Sequence, residues 1–280
     1  MLSEISLGYG LVIVLIAFLA EYSDSTLGMG YGTILTPVLL ILGFEPLQVV
    51  PAVLLSELIT GLLAGFTHHS MGNVDFRPKS TNLGHIIKKL KELGFVESFK
   101  RGIPLHLKVV IVIASCSFLG TVAAVFLAVK LPKLYLKIYI AVLMVGIGAV
   151  ILATLNRKFR FSWKKITFLG LVASFNKGIS GGGYGPVVTG GQLLAGVDEK
   201  NAIGITSLSE GLTCFVGVTA YSLINGTIDL MLAPYITIGA ILSVPLGAFT
   251  VRKIRTTKLK VMIGLATIIL GVWIIVKTIG

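Results

Sequence analysis

Residues 28–32 read Gly-Met-Gly-Tyr-Gly and residues 181–185 read Gly-Gly-Gly-Tyr-Gly, so one short motif occurs twice in this chain. Extended at the same offset of 153 positions without a gap, the two copies align as far as Glu57 and Glu210, with ten identities in thirty positions. Self-similarity of this kind indicates an internal duplication. Besides the motif, the identical pairs include Thr36 with Thr189, Gly43 with Gly196, and Ser56 with Ser209.

The composition is that of a polytopic membrane protein. Of 280 residues, 55% are hydrophobic and only 13% are charged, whereas soluble domains carry about 25% charged residues. The apolar runs are long enough to cross roughly 30 Å of hydrocarbon at about 1.5 Å per helical residue. We therefore expect an all-α membrane protein and not a soluble enzyme. About ten hydrophobic segments are predicted, at residues 6–27, 33–43, 46–70, 107–130, 134–154, 163–180, 186–196, 201–224, 230–251 and 259–279.

Basic residues are concentrated between the predicted helices. The formal net charge is +12, and 18 of the 24 Lys and Arg residues lie at 71–108, 155–165 and 252–260. Cytoplasmic loops retain Lys and Arg, so we predict that these loops are cytoplasmic in a multi-pass plasma-membrane protein with ten crossings. Within the first loop, residues 86–95 alternate apolar and charged side chains, which fits an amphipathic helix on the inner leaflet or a solvated loop helix. No aromatic-interleaved basic face is present, so nucleic acid is not expected as a partner.

Two predicted halves, residues 1–154 and 155–280, contain five hydrophobic segments each. Because five is odd, the second half must enter the membrane in the opposite sense to the first. Inverted repeats are typical of secondary transporters, whose substrate sites lie near the midplane where discontinuous helices of the two halves meet. The short, Gly-interrupted segments at matching positions are residues 24–37 and 177–190, and we expect the site there.

The glycine motifs allow two interpretations. Glycine permits turns with positive φ and close approach of another group. A short helix beginning at Thr33 or Pro186 would present unpaired amides and the positive end of its dipole, which suits an anion. Alternatively, the glycines only allow close packing of membrane helices. The presence of two symmetric copies favours a binding site.

A glutamate occurs near the middle of a long apolar segment in each half, Glu57 and Glu210. A carboxylate in this position is costly unless it is protonated, paired or hydrated. One interpretation is proton or cation coupling, with Ser56 and Ser209 as hydrogen-bonding partners. The other is a structural role, in which each glutamate caps the amides of a neighbouring broken helix.

Lys177 lies within a predicted span, after Asn176 and about one helical turn before the second motif. A lysine beside a helix N-terminus would favour a bound anion. The equivalent position in the first half is Asp24, close to Glu21. Lys177 could therefore contact an anion, or pair with Asp24 or Glu21 across the interface of the halves.

Other site chemistries receive little support from the sequence. Cys116 and Cys214 lie in apolar segments and are expected to be packing residues. His68, His69 and Asp75 could suggest a metal site, but Tyr221 replaces His68 in the second half, and no metal site is predicted. No phosphate-binding loop of the G-x-x-x-x-G-K-[ST] type occurs, so we expect no cofactor and no ATPase activity; transport would be driven by an ion gradient, the substrate gradient or a separate partner.

With these motifs, the chain resembles the sulfite exporter TauE/SafE family of membrane permeases. The likeness rests on the paired glycine motifs, on Gly72-x-x-Asp75 and on Gly226-x-x-Asp229, and it covers nearly the whole chain. The resemblance implies a secondary carrier that exports sulfite, sulfoacetate or related organosulfonates. The first motif has Met29 where the second has Gly182, which leaves open whether both turns contact substrate.

The leading hypothesis is thus an inverted-repeat carrier of small sulfur oxyanions that works by alternating access. The alternatives are a proton- or cation-coupled carrier of another small solute, which would leave Lys177 unexplained, and an anion channel, which would need a continuous polar pore. A non-transporting scaffold or a membrane enzyme is disfavoured by the mid-span charged residues and by the lack of a His or Cys cluster. The expected substrate-binding residues are Gly28, Gly30, Tyr31, Gly32, Asn176, Lys177, Gly181, Gly182, Gly183, Tyr184 and Gly185. The expected coupling or gating residues are Asp24, Ser56, Glu57, Ser209 and Glu210.

Overall fold

The protein is described by a computed structural model that covers residues 7–77, 102–155, 161–225, 231–251, 253 and 256–279. Within those ranges, every regular element is a helix and no strand occurs. This confirms the predicted all-α polytopic class. The helices are α1 (Leu7–Leu27), α2 (Tyr31–Ile41), α3 (Pro46–Ser70), α4 (Leu105–Lys130), α5 (Lys133–Ala153), α6 (Trp163–Ser180), α7 (Tyr184–Leu194), α8 (Glu199–Asn225), α9 (Ala233–Thr250) and α10 (Thr256–Ile279).

Five of these helices are long and apolar enough to cross a membrane by themselves, namely α1, α3, α4, α8 and α9. A helix satisfies its own backbone hydrogen bonds, which is a condition for spanning hydrocarbon. In contrast, α2 and α7 have 11 residues each and a length of about 16 Å at ~1.5 Å per residue. Ten full crossings therefore stay a prediction. The suggested amphipathic helix at residues 86–95, and the Gly226 and Asp229 pair, lie outside the described residues.

The helices of the two sequence halves are interleaved. Helix α1 lies against α9 and α4 lies against α6, while α3 packs on α8 and α5 packs on α10. Suppose that each helix of α1–α5 is replaced by its counterpart five places later in α6–α10, and the reverse. The α1–α9 pair then becomes the α6–α4 pair, and the α3–α8 and α5–α10 pairs stay the same. The set of helix pairs is therefore the same after the exchange.

The centre of the fold is a close crossing of α3 and α8. A Cβ atom built on Gly61 would lie 2.8 Å from the main-chain nitrogen of Gly211, so the two backbones are in direct contact. Small residues allow such contact between membrane helices. Because Glu57 and Glu210 lie next to these glycines on the same helices, the crossing brings both carboxylates into the interior.

Candidate functional site

The glycine motifs form the turns that join α1 to α2 and α6 to α7. Gly28, Gly30, Gly181 and Gly183 all have positive φ, between 65° and 147°. Residues with a Cβ rarely adopt this backbone. The turns are tight enough that each short helix begins at the tyrosine of its motif, two residues earlier than the predicted starts at Thr33 and Pro186.

The two turns lie against each other in antiparallel order. Gly32 abuts the main-chain carbonyl of Gly181, and a Cβ built on Gly185 would lie 2.6 Å from the carbonyl oxygen of Gly28. Each turn therefore fills the space beside the other. The structure thus brings together the glycines predicted from the two halves. The two backbones are so close that a side chain at Gly32 or Gly185 would collide with the other turn.

The amides of the second turn are hydrogen-bonded inside the protein. The main-chain N–H of Gly182 donates to Ser180 Oγ at 3.1 Å, and that of Gly183 donates to Thr33 Oγ1 at 3.2 Å. In the first turn, the Asp24 carboxylate interacts with the main-chain N–H of Tyr31. In this conformation, internal groups thus occupy three main-chain donors of the two turns.

The motif tyrosines connect the turns to the central helices. Tyr31 Oη and Ser56 Oγ share a hydrogen bond of 2.6 Å. At the matching position in the second half, Tyr184 Oη interacts with Ser209 and accepts a hydrogen bond from Thr213 Oγ1 at 3.2 Å. The serines were expected to bind the neighbouring glutamates. In the structure Ser56 Oγ bonds to Tyr31, and Ser209 Oγ donates to the carbonyl oxygen of Thr206 at 3.1 Å.

Lys177 is bound by both mid-span glutamates. Its ammonium donates to Glu210 Oε1 at 2.8 Å and to Glu57 Oε2. Lys177 has no exposed surface, and Glu57 and Glu210 are only 2% and 3% exposed. We call these three residues the ion triad. The alternative in which Lys177 pairs with Asp24 or Glu21 is not the arrangement observed, because the α3–α8 crossing places Glu57 and Glu210 within reach of the ammonium.

The triad glutamates do not cap the broken helices. Their second oxygens, Glu57 Oε1 and Glu210 Oε2, are buried and have no hydrogen-bond partner among the described residues. In this geometry, neither glutamate caps the exposed amides of a broken helix, as the structural interpretation required. Each carboxylate has one oxygen on Lys177 and one oxygen free to accept a proton.

Two further carboxylates lie beside the triad on α1. Glu21 accepts hydrogen bonds from Ser25 Oγ at 2.8 Å and from Thr60 Oγ1 at 3.3 Å. Asp24 lies close enough to Lys177 for direct electrostatic interaction. The described residues thus include four buried carboxylates and one buried lysine. The interior carries a surplus of acidic groups.

Asn176 lies away from the triad. Its Oδ1 accepts a hydrogen bond of 2.8 Å from Tyr139 Oη on α5. The adjacent position on a helix points in a different direction, since successive residues are rotated by about 100°. The structure therefore separates Asn176 from Lys177, although the sequence grouped them.

Several polar residues near the site were not predicted. Ser117, Ser174 and Thr213 form a chain of hydroxyls with separations of 2.5 and 2.9 Å. The sulfur of Cys214 lies 4.0 Å from Glu57 Oε2. Thr60 and Thr213 could have been found from the sequence, because they are identical at the same offset of 153 positions. Cys214 follows Glu210 by four residues, which places both on one helix face.

The histidines at the end of α3 have partners within the protein. His68 Nδ1 lies 3.1 Å from Asn73 Nδ2, and His69 Nδ1 lies 3.1 Å from the carbonyl oxygen of Val74. Asp75 Oδ1 accepts a hydrogen bond from the main-chain N–H of Arg77. Over the part of the chain that the structure describes, no group of three or more His, Cys, Asp or Glu residues could hold a metal ion.

The fold and the ion triad together define a polytopic α-helical membrane protein with charged groups buried between interleaved helices. Residues 13–79 and 93–274 match the family described as Sulfite exporter TauE/SafE. The chain belongs to this family, and the resemblance seen in the sequence is confirmed.

One relative is described as the probable membrane transporter protein YtnM of Bacillus subtilis (strain 168). It is 26% identical to this chain over 267 residues, an alignment that covers 91% of this chain and 78% of the relative. No solved structure matches the protein. Membership of the family, together with this relative, makes the protein a membrane transporter.

Proposed function

We propose that this protein is a secondary transporter that carries small sulfur oxyanions, such as sulfite or organosulfonates, out of the cell by alternating access. The observation that carries the proposal is the position of Lys177, a fully buried cation one helical turn before Gly181, whose main-chain N–H donates to the Lys177 carbonyl oxygen. The family description, which names a sulfite exporter, supports the same class of substrate.

The chemistry of the substrate fits the groups at this position. A sulfonate is a tetrahedral anion with three acceptor oxygens. An ammonium offers three donors, and main-chain amides at the start of a short helix offer more. Separation of the two turns would release the amide of Gly183, which Thr33 of the other half now binds, so one anion could be bound by Lys177 and by this amide together.

Alternating access is supported by the contact between the turns. Gly32 on one turn and Gly181 on the other touch through their backbones, and no side chain lies between them. Movement of one half against the other would open this contact toward one side of the membrane at a time. The set of helix pairs, which is the same after the two halves are exchanged, is the arrangement that an inverted repeat would give.

We also propose that the basic loops face the cytoplasm of a plasma-membrane protein. Asn73 Nδ2 donates to the carbonyl oxygen of Ala248 at 3.0 Å, so the chain leaves α3 and α9 at the same end of the fold. The loops predicted at 71–108 and 252–260 begin at that end. Their Lys and Arg content favours the cytoplasmic side.

The test is direct binding to purified protein. Sulfite, sulfoacetate, taurine, sulfate, phosphate and divalent cations would be compared by calorimetry and by thermal shift. We expect selective binding of sulfite or a sulfonate, and its loss in Lys177→Ala. Lys164→Ala is the matched control, because Lys164 lies on the same helix but is exposed. Anion binding that is unchanged in Lys177→Ala would contradict the assignment.

One observation favours a second candidate, a cation carrier. The described residues contain four buried carboxylates and one buried lysine, and a bound cation would offset the excess negative charge. The same panel separates the two candidates. Binding of cations alone would support the cation carrier and remove the anion carrier.

A further inference from the structure

We infer that the anion and a proton cross the membrane together, because Lys177 becomes available to an anion only when Glu57 and Glu210 are protonated. This inference rests on the proposed function and specifies how the same site is coupled. Its basis is the geometry of the ion triad.

Lys177 has little capacity left for another anion. Both triad carboxylates bind its ammonium, and all three side chains are buried. An added anion would lie next to any glutamate that is still ionised, in a medium that screens the repulsion between like charges poorly. A buried charge without a compensating partner is strongly unfavourable, and a second anion on the same ammonium would leave one of the negative charges uncompensated. The carboxylates must therefore lose their charge when the anion enters.

The balance of charge sets the stoichiometry. With Lys177 charged and one glutamate protonated, the triad is neutral. With both glutamates protonated, the triad carries one positive charge, and a bound monoanion makes it neutral again. The two neutral states differ by one proton and one monoanion, and passage between neutral states avoids burying a net charge. Transport of a monoanion is therefore electroneutral symport with one proton.

The titratable groups that face the triad also disfavour an anion beside ionised glutamates. Glu21 and Asp24 on α1 both interact electrostatically with Glu210. The neighbouring groups on the other elements are the hydroxyls of Tyr31 and Tyr184 and the thiol of Cys214. None of these groups brings a second positive charge. The additional carboxylates make an anion beside ionised glutamates still less favourable.

A proton fits this site better than a metal ion. Glu57 Oε1 and Glu210 Oε2 are buried oxygens without partners among the described residues, so each can take a proton without breaking a bond to Lys177. A metal ion would need several ligands in a fixed geometry, and the described part of the chain contains no suitable group of His, Cys, Asp or Glu.

The first experiment measures proton movement in proteoliposomes that contain a trapped pH-sensitive dye. Ethanesulfonate is the probe, because it is a monoanion that does not titrate near neutral pH. An inward gradient of ethanesulfonate should acidify the lumen, with about one proton for each sulfonate taken up, and a clamped membrane potential should not change the rate. Alkalinisation, a requirement for sodium ions, or uptake without protons would each overturn the inference.

The second experiment uses the double variant Glu57→Gln, Glu210→Gln, with Glu199→Gln as a control at an exposed carboxylate of α8. Each single variant should keep about one proton per sulfonate, because the remaining glutamate still takes up the proton. The double variant should retain exchange of ethanesulfonate across the membrane but lose most of the acidification, while the control should match the wild type. Unchanged acidification per sulfonate in the double variant would contradict the inference.

A third measurement needs no variant. Calorimetric titration of wild-type protein with ethanesulfonate, in two buffers with different ionisation enthalpies, reports the protons taken up on binding, which we expect to be about one. If sulfonate binds and crosses without protons, the inference fails and the proposed function stands. If wild-type protein neither binds nor transports any of the sulfur anions, both fail.

Discussion

Lys177 Nζ lies 2.8 Å from Glu210 Oε1, an ion pair that joins α6 to α8 in the interior of the protein. Glu57 from α3 completes the contact on the other side of the ammonium. The triad thus links one helix of the first half to two of the second. Because the halves are proposed to move against each other, the charge state of the triad would influence which conformation is stable.

Removal of Lys177 should destabilise the protein. In Lys177→Ala, two buried carboxylates lose their common partner, and breaking a buried pair in this way costs about 3–5 kcal/mol. Lys164→Ala should change stability little, because that side chain is exposed at the start of the same helix. Thermal unfolding of both variants in detergent is the measurement.

The origin of that loss can be tested by neutralising the whole triad. The variant Glu57→Gln, Lys177→Met, Glu210→Gln carries no triad charge, so it should recover most of the unfolding temperature lost in Lys177→Ala. Failure to recover would mean that Lys177 acts through its packing and not through its charge.

A methyl group at Gly185 should not be tolerated. A Cβ built there would lie 2.6 Å from the carbonyl oxygen of Gly28 and 2.7 Å from the Cα of Met29, so the two turns must separate. We expect Gly185→Ala to lower the unfolding temperature and to impair transport. Gly190→Ala, on the same helix, meets no atom within 4 Å and should be neutral or stabilising by about 0.5–1 kcal/mol, since alanine favours the helix. Similar behaviour of the two variants would contradict the contact between the turns.

The sequence predicted the helices well because hydrophobic runs and glycines act locally. The predicted segment at residues 46–70 coincides with α3, and that at 163–180 coincides with α6. The short helices after the glycine motifs were also expected, although their starts at Tyr31 and Tyr184 were not. A tight turn with positive φ contains fewer residues than an open loop, so α2 and α7 begin earlier than predicted.

The partners within the site could not be predicted in the same way. Lys177 and Glu57 are 120 positions apart, and their contact depends on the crossing of α3 with α8 at Gly61 and Gly211. An internal repeat indicates which positions are equivalent, but it does not show which of them touch. That is why the sequence offered Asp24, the equivalent of Lys177, as one possible partner, whereas the structure pairs Lys177 with Glu57 and Glu210.

The hydroxyl of Tyr31 should contribute to stability. Tyr31 Oη bonds to Ser56 Oγ at 2.6 Å and lies 3.3 Å from the carbonyl oxygen of Ile236, both in the interior. Tyr31→Phe leaves buried groups unpaired, which costs about 1–3 kcal/mol. Tyr135→Phe should have no such effect, because Tyr135 is 61% exposed. Chemical unfolding in detergent would compare them; equal stabilities would mean that the Tyr31 hydroxyl bond contributes nothing net.

Asn176 should prove to be a structural residue and not a ligand of the anion. Its Oδ1 is bound to Tyr139 Oη, away from the ammonium of Lys177. We expect Asn176→Ala and Tyr139→Phe to destabilise the protein by similar amounts, and the double variant to lose less than the sum, with a coupling of about 0.5–1.5 kcal/mol. Ethanesulfonate affinity should change less than about threefold in each, whereas a ligand's hydrogen bond to a charged group is worth about 1.5–3 kcal/mol, or roughly tenfold and more. Calorimetry on the two single variants is the measurement. Loss of sulfonate binding in Asn176→Ala but not in Tyr139→Phe would mean that Asn176 is a ligand of the anion.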